Sequence, residues 1–126
     1  VIGDSPLVQV AQRAVDLERA AEFYADLLGV PVVTTFEPSG LAFLVLGDSR
    51  LLLERGAPSA LLYFAVDDLD ERVERLRAAG VGIVSEPHTI FEHDDDALGP
   101  AGTVERMAFV LDSEGNTIAL VEHGAG

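Results

Sequence analysis

At the start of the chain Val8 and Val10 alternate with Gln9, Ala11 and Arg13, the mark of a strand with one apolar and one partly polar face. Leu17, Ala20, Ala21, Tyr24, Leu27 and Leu28 then recur at helical spacing, with Glu18, Arg19, Glu22 and Asp26 on the other side. Asp16 is placed to cap this helix by accepting free amide protons of its first turn. Gly29 supplies a left-handed end, and Pro31 blocks continuation. Short strand-like runs follow at Val32–Phe36, Leu41–Leu46 and Arg50–Glu54, separated by Pro38-Ser39-Gly40 and Gly47-Asp48-Ser49.

The pattern then repeats. Ala60–Val66 reads as a strand, Asp67 or Asp68 as a cap, and Leu69, Val73 and Leu76 as the stripe of a helix through Ala79 that ends at Gly80. Asp16 to Gly29 and Asp67 to Gly80 cover equal distances, and Val15-Asp16-Leu17-Glu18-Arg19 is echoed by Asp68-Leu69-Asp70-Glu71-Arg72. Strands at Val81–Val84, Val104–Leu111 and Thr117–Glu122 complete the second half. The chain is therefore an internal duplication of a β-α-β-β-β unit, with a period too long for a solenoid. Each helix must cover one sheet face to bury its stripe, which leaves the opposite face free to line something.

Composition narrows the chemistry. Hydrophobic residues make up 48% of the 126, enough to fill a core, so disorder is not expected. The absence of cysteine excludes disulfides, thiolate metal sites and thiol nucleophiles, and the absence of lysine excludes Schiff-base chemistry. Twenty-two acids against eight arginines give a net charge of −14, a field that repels a phosphate backbone and argues against nucleic-acid partners. No apolar run approaches the roughly 20 residues of a membrane span, and no signal peptide is visible, so a cytoplasmic location is expected.

The Asp-Leu-Glu-Arg opening of the first helix, Phe23-Tyr24 followed by Leu27-Leu28-Gly29 at its end, and Asp112-Ser113-Glu114-Gly115-Asn116 before the last strand resemble the vicinal oxygen chelate superfamily. That group includes glyoxalases, bleomycin-type drug-binding proteins and extradiol dioxygenases. The resemblance runs from about Leu7 to Glu122. It implies an α+β fold: one glyoxalase-like domain over 1–126, made of tandem βαβββ modules at about 7–54 and 60–122, whose mixed sheets curl around a cup. It also implies a homodimer. In metal-dependent relatives four inward side chains hold a divalent ion. Here the matching positions fall on Gln9, on Leu51 or Leu52, on Ala60 or Leu61, and on Ala119 beside Val121. A glutamine oxygen is a permissible hard ligand, whereas the others offer hydrocarbon. No metal ligand set and no cofactor is expected.

The cup is expected to be apolar, with Gln9, Arg13 and Tyr63 as polar points, which suits a small organic ligand. Arg13 shares the Gln9 face and resembles the anion-holding residue of some glyoxalases. Ser85 to Thr103 reads as a long loop whose first part, Glu86-Pro87-His88-Thr89-Ile90-Phe91, docks on the body. His88 can then face the cavity as a ligand contact or proton-transferring group. Glu92-His93-Asp94-Asp95-Asp96 reads as a solvated loop tip, and His123 as part of a glycine-rich tail. Glu105 and Arg106 alternate on a strand, so one of them faces the cavity, and Arg106 joins the ligand set. The expected function is binding or sequestering a small, largely apolar molecule. The alternative is a glyoxalase-, epimerase- or dioxygenase-like enzyme, either metal-free or using a metal at atypical positions such as Gln9 and His88.

Overall fold

The computed structural model describes residues 7–125, and only the backbone of Glu37 and Ala125. The chain divides into two compact units at Ala60/Leu61. In the first, β1 (Gln9–Arg13) leads into α1 (Leu17–Leu28), then β2 (Val32–Phe36), β3 (Leu41–Leu46) and β4 (Ser49–Glu54), in spatial order β1-β4-β3-β2. In the second, β5 (Leu62–Ala65) leads into α2 (Leu69–Ala78), then β6 (Ile83–Glu92), β7 (Thr103–Leu111) and β8 (Thr117–Ala125), in order β5-β8-β7-β6. Each sheet is mixed, with its first and last strands parallel and the others antiparallel. The same order in both units is the duplication in three dimensions. Among the described residues, no helix is long and apolar enough to cross a membrane.

In the first unit α1 buries Leu17, Ala20, Ala21 and Tyr24, and the sheet residues Ala42, Leu44, Leu51 and Leu53 are buried too. Its start is local chemistry: the Asp16 carboxylate accepts from the Arg19 amide at 3.1 Å. Its end is Gly29 at φ +67°, whose amide donates to the Ala25 carbonyl at 2.9 Å. Gln12, which falls on the side of β1 read as apolar, is fully buried. Its side chain closes a two-way bridge, donating from Nε2 to the Ala60 carbonyl at 3.0 Å and accepting from the Ala60 amide at 2.7 Å.

The second unit packs Leu69 and Val73 of α2 against Ala108 and Leu120, with Phe64, Val66, Leu76 and Ile83 around them. Its helix start corrects the sequence reading. Asp68 occupies the cap position but lies in the left-handed region at φ +48°, and its side chain makes no cap bond. The Leu69 amide instead donates to Glu122 Oε2 of β8 at 2.8 Å, so the cap comes from a distant strand. We expect Glu122→Ala to cost about 1–2 kcal/mol, the usual loss for a missing cap. Chemical denaturation reads this directly, and a loss below a few tenths would show the cap to be idle.

The long loop expected over Ser85–Thr103 is also corrected. Ser85 to Glu92 continues β6, paired with β7, and only 93–102 connects the two strands. The register shifts at three places, between Ile83 and Ser85, Ser85 and His88, and Thr89 and Phe91. Such bulges accommodate Pro87 and break strict alternation, which removes the period-two signal a strand normally shows. Likewise β8 runs past Glu122, so His123 belongs to the sheet and not to a loose tail.

Candidate functional site

In each unit cross-strand register assigns the side chains to the helix-covered face or to the opposite, open one. In the second unit Phe64 pairs with Leu120, and Ala108 with the same Leu120, on the α2 side. The other face therefore carries Tyr63 beside Ala119, Ala119 beside Phe109, and Val121 beside Met107. Tyr63 is 54% exposed and meets Phe109 edge to face, with centroids 6.4 Å apart. His88 lies opposite Met107, on the same face; its ring is exposed and Nδ1 is 2.7 Å from the Glu86 carbonyl oxygen. Tyr63 and His88 thus share the open face of one sheet.

Gln9 and Arg13 lie in the first unit. Register places Gln9 beside Arg50, Ala11 beside Leu52 and Arg13 beside Glu54, on the face opposite buried Gln12. Phe43 pairs with Leu52 on that face, and the Arg50 guanidinium stands 5.9 Å from the Phe43 ring centre. Gln9 Oε1 is buried without a hydrogen-bond partner among the described residues. A buried acceptor without a partner suits a donor group arriving from outside the protein.

Of the alternating pair on β7, Glu105 takes the open face and Arg106 the helix side. Arg106 binds both oxygens of Asp70, at 2.8 and 3.1 Å, and reaches Glu122 Oε1 at 3.4 Å. The hydrogen bond from Arg106 holds the Asp70 carboxyl below its ordinary value, and the same contact raises the pKa of the guanidinium. Arg106 therefore ties α2 to its sheet.

The sheet also assembles a group that the sequence reading missed. Glu105 and His123 are direct cross-strand partners, and Phe91 lies opposite Glu105 on the other side. His93, just past the end of β6, is buried, and its ring stacks on His123 with centroids 5.9 Å apart. Glu105 Oε1 accepts from His93 Nε2 at 3.1 Å and from His123 Nε2 at 2.8 Å. Ligand atoms of the three residues all lie within 4.8 Å of one another, an arrangement able to hold a metal ion. The available signal was the pairing of a histidine at the loop mouth with a histidine just after a strand, but it needs the extended β6 and β8 to be legible.

None of the curated proteins matches the sequence. Solved structures do. An integron cassette protein from V. cholerae is 21% identical, with a TM-score of 0.71 over 97% of this chain and 98% of that one. An antibiotic-binding protein from Streptomyces sp. is 21% identical, with a TM-score of 0.73 over 98% of this chain and all of the other. Lactoylglutathione lyase from Agrobacterium tumefaciens is 21% identical, with a TM-score of 0.65 over 95% of each chain. These likenesses show a shared fold. The sequence itself matches the Glyoxalase/Bleomycin resistance protein/Dioxygenase superfamily over residues 7–120, and the chain belongs to that family.

Proposed function

We propose that the protein binds a small, largely apolar organic molecule on an open sheet face and releases it chemically unchanged. The observation that carries this reading is Tyr63, half exposed and edge-on to Phe109 on a face that no helix of its unit covers. An aromatic pair on a strip with Met107 offers dispersion and stacking to a flat ligand, while polar groups orient it. His88 on that face is the orienting group there, and Gln9 and Arg13 are the polar groups on the open face of the first unit. The donor chemistry agrees. At the positions that the family resemblance assigns to the ion, this chain has one amide at Gln9 and otherwise hydrocarbon, which does not fit a divalent cation. The likeness to an antibiotic-binding protein supports a sequestering role, and the likeness to a lyase keeps turnover as the second reading.

A panel of aromatic amphipathic compounds, screened by thermal shift and followed by calorimetry, tests the proposal. A bound compound should be recovered intact, and Tyr63→Ala should weaken binding roughly tenfold, the scale of one aromatic contact. Consumption of the compound, abolished by His88→Ala, would replace the receptor with the enzyme reading.

A further inference from the structure

We propose that His93, Glu105 and His123 form a binding site for a zinc-class divalent cation, displaced from the positions where the family resemblance puts its ligands. The site rests on β8 at His123, four residues beyond Ala119, which is about 13 Å along the strand at the usual rise per residue. Three segments supply the donors: the residue just past β6, the start of β7 and the far end of β8.

Two of the three donor separations suit a tetrahedral ion, and all three donor atoms lie within 4.8 Å of one another. With metal–ligand bonds of about 2.0–2.2 Å, donors of a tetrahedral ion lie about 3.3 Å apart. The observed separations of 3.1 and 2.8 Å about Glu105 Oε1 are close to those edges. Both imidazoles aim Nε2 at one carboxylate oxygen. A cation taking the place of the two intervening protons neutralises that carboxylate, and each ring then carries its proton on Nδ1.

The surroundings hold the first ligand rigidly. The His93 side chain is 1% exposed, Phe91 meets its ring edge-on at 4.9 Å, and its backbone is tied to Thr103 and Gly102. Gly99 lies so close that a Cβ there would come within 2.9 Å of His93 Cε1 and Nε2. His123 is 45% exposed, which leaves an entry path and a fourth position for water or a ligand oxygen. Charge favours the same ion. In this unit Arg72, Arg75, Arg77 and Arg106 pair with Asp67, Glu71, Glu74, Glu86, Asp70 and Glu122, whereas the partners of Glu105 are the two imidazoles.

The site stands independently of the organic-ligand reading, because each is read by its own variants. Chelator-treated full-length protein is titrated with Zn(II) against a chromogenic competitor, and with Co(II) for its visible spectrum. The expected result is one equivalent bound with a tetrahedral Co(II) signature. His123→Ala and Glu105→Gln, each checked for folding by circular dichroism, should weaken Zn(II) by about 100-fold or more. Asp95→Asn in the neighbouring acidic loop should bind as the parent does. Failure to take up one equivalent, or uptake undiminished in folded His123→Ala, overturns the proposal. So does loss of binding in Asp95→Asn, which would move the ion to the loop acids.

Discussion

Gln12→Ala is expected to lower the unfolding free energy by about 3 kcal/mol. The side chain is fully buried, and its two hydrogen bonds, at 3.0 and 2.7 Å, satisfy both backbone groups of Ala60. Alanine removes both bonds and leaves a half-buried N–H and C=O without partners. It also opens a void beside Leu53, its register neighbour on β4. Unpaired buried groups cost about 1–3 kcal/mol each, which exceeds the net value of the bonds themselves. Gln12→Met separates the contributions, because it keeps the volume and loses only the polar contacts. Urea denaturation of both variants should show methionine recovering part of the loss. A cost below about 1 kcal/mol for alanine would mean that water replaces the bridge.

Asp112→Ala is expected to be comparably damaging, at about 3 kcal/mol. Asp112 is 6% exposed and organises the turn before β8. One carboxylate oxygen accepts from the Glu114 and Asn116 amides, each at 2.8 Å, and the other accepts from Asn116 Nδ2, also at 2.8 Å. Gly115 completes the turn at φ +80°, a conformation alanine resists. Asp112→Asn should cost far less. Its remaining oxygen still takes both amides, and an Asn116 flip restores the third contact. The measured order should therefore be parent, asparagine, alanine. Equal losses for the two variants would indicate that negative charge, not acceptor geometry, holds the turn.

These two residues show how unevenly the fold is written. The Asp112-Ser113-Glu114-Gly115-Asn116 turn is local, so its chemistry is visible in five neighbouring residues. Gln12 is not visible in that way, because a glutamine on the apolar side of a strand looks like an exception until its partner at Ala60 is known. The first helix matched its expected limits, Leu17–Leu28, since cap, stripe and terminating glycine all lie within it. The second took its cap from Glu122, fifty-three positions away, and so the expected aspartate was idle. The candidate site divides the same way. Tyr63 and His88 fall on one open face because β5 and the bulged β6 place them there in register, whereas Arg106 turned to the helix side and Glu105 took the open one.

The order of residues by itself determined the doubled βαβββ plan and the two helices. Each of these rests on apolar spacing and on turn residues that lie within or beside one element. Tertiary structure alone decided that His93, Glu105 and His123 meet. Their meeting depends on the register of three strands, and register is fixed by sheet packing and by bulges that leave no periodic trace in the chain.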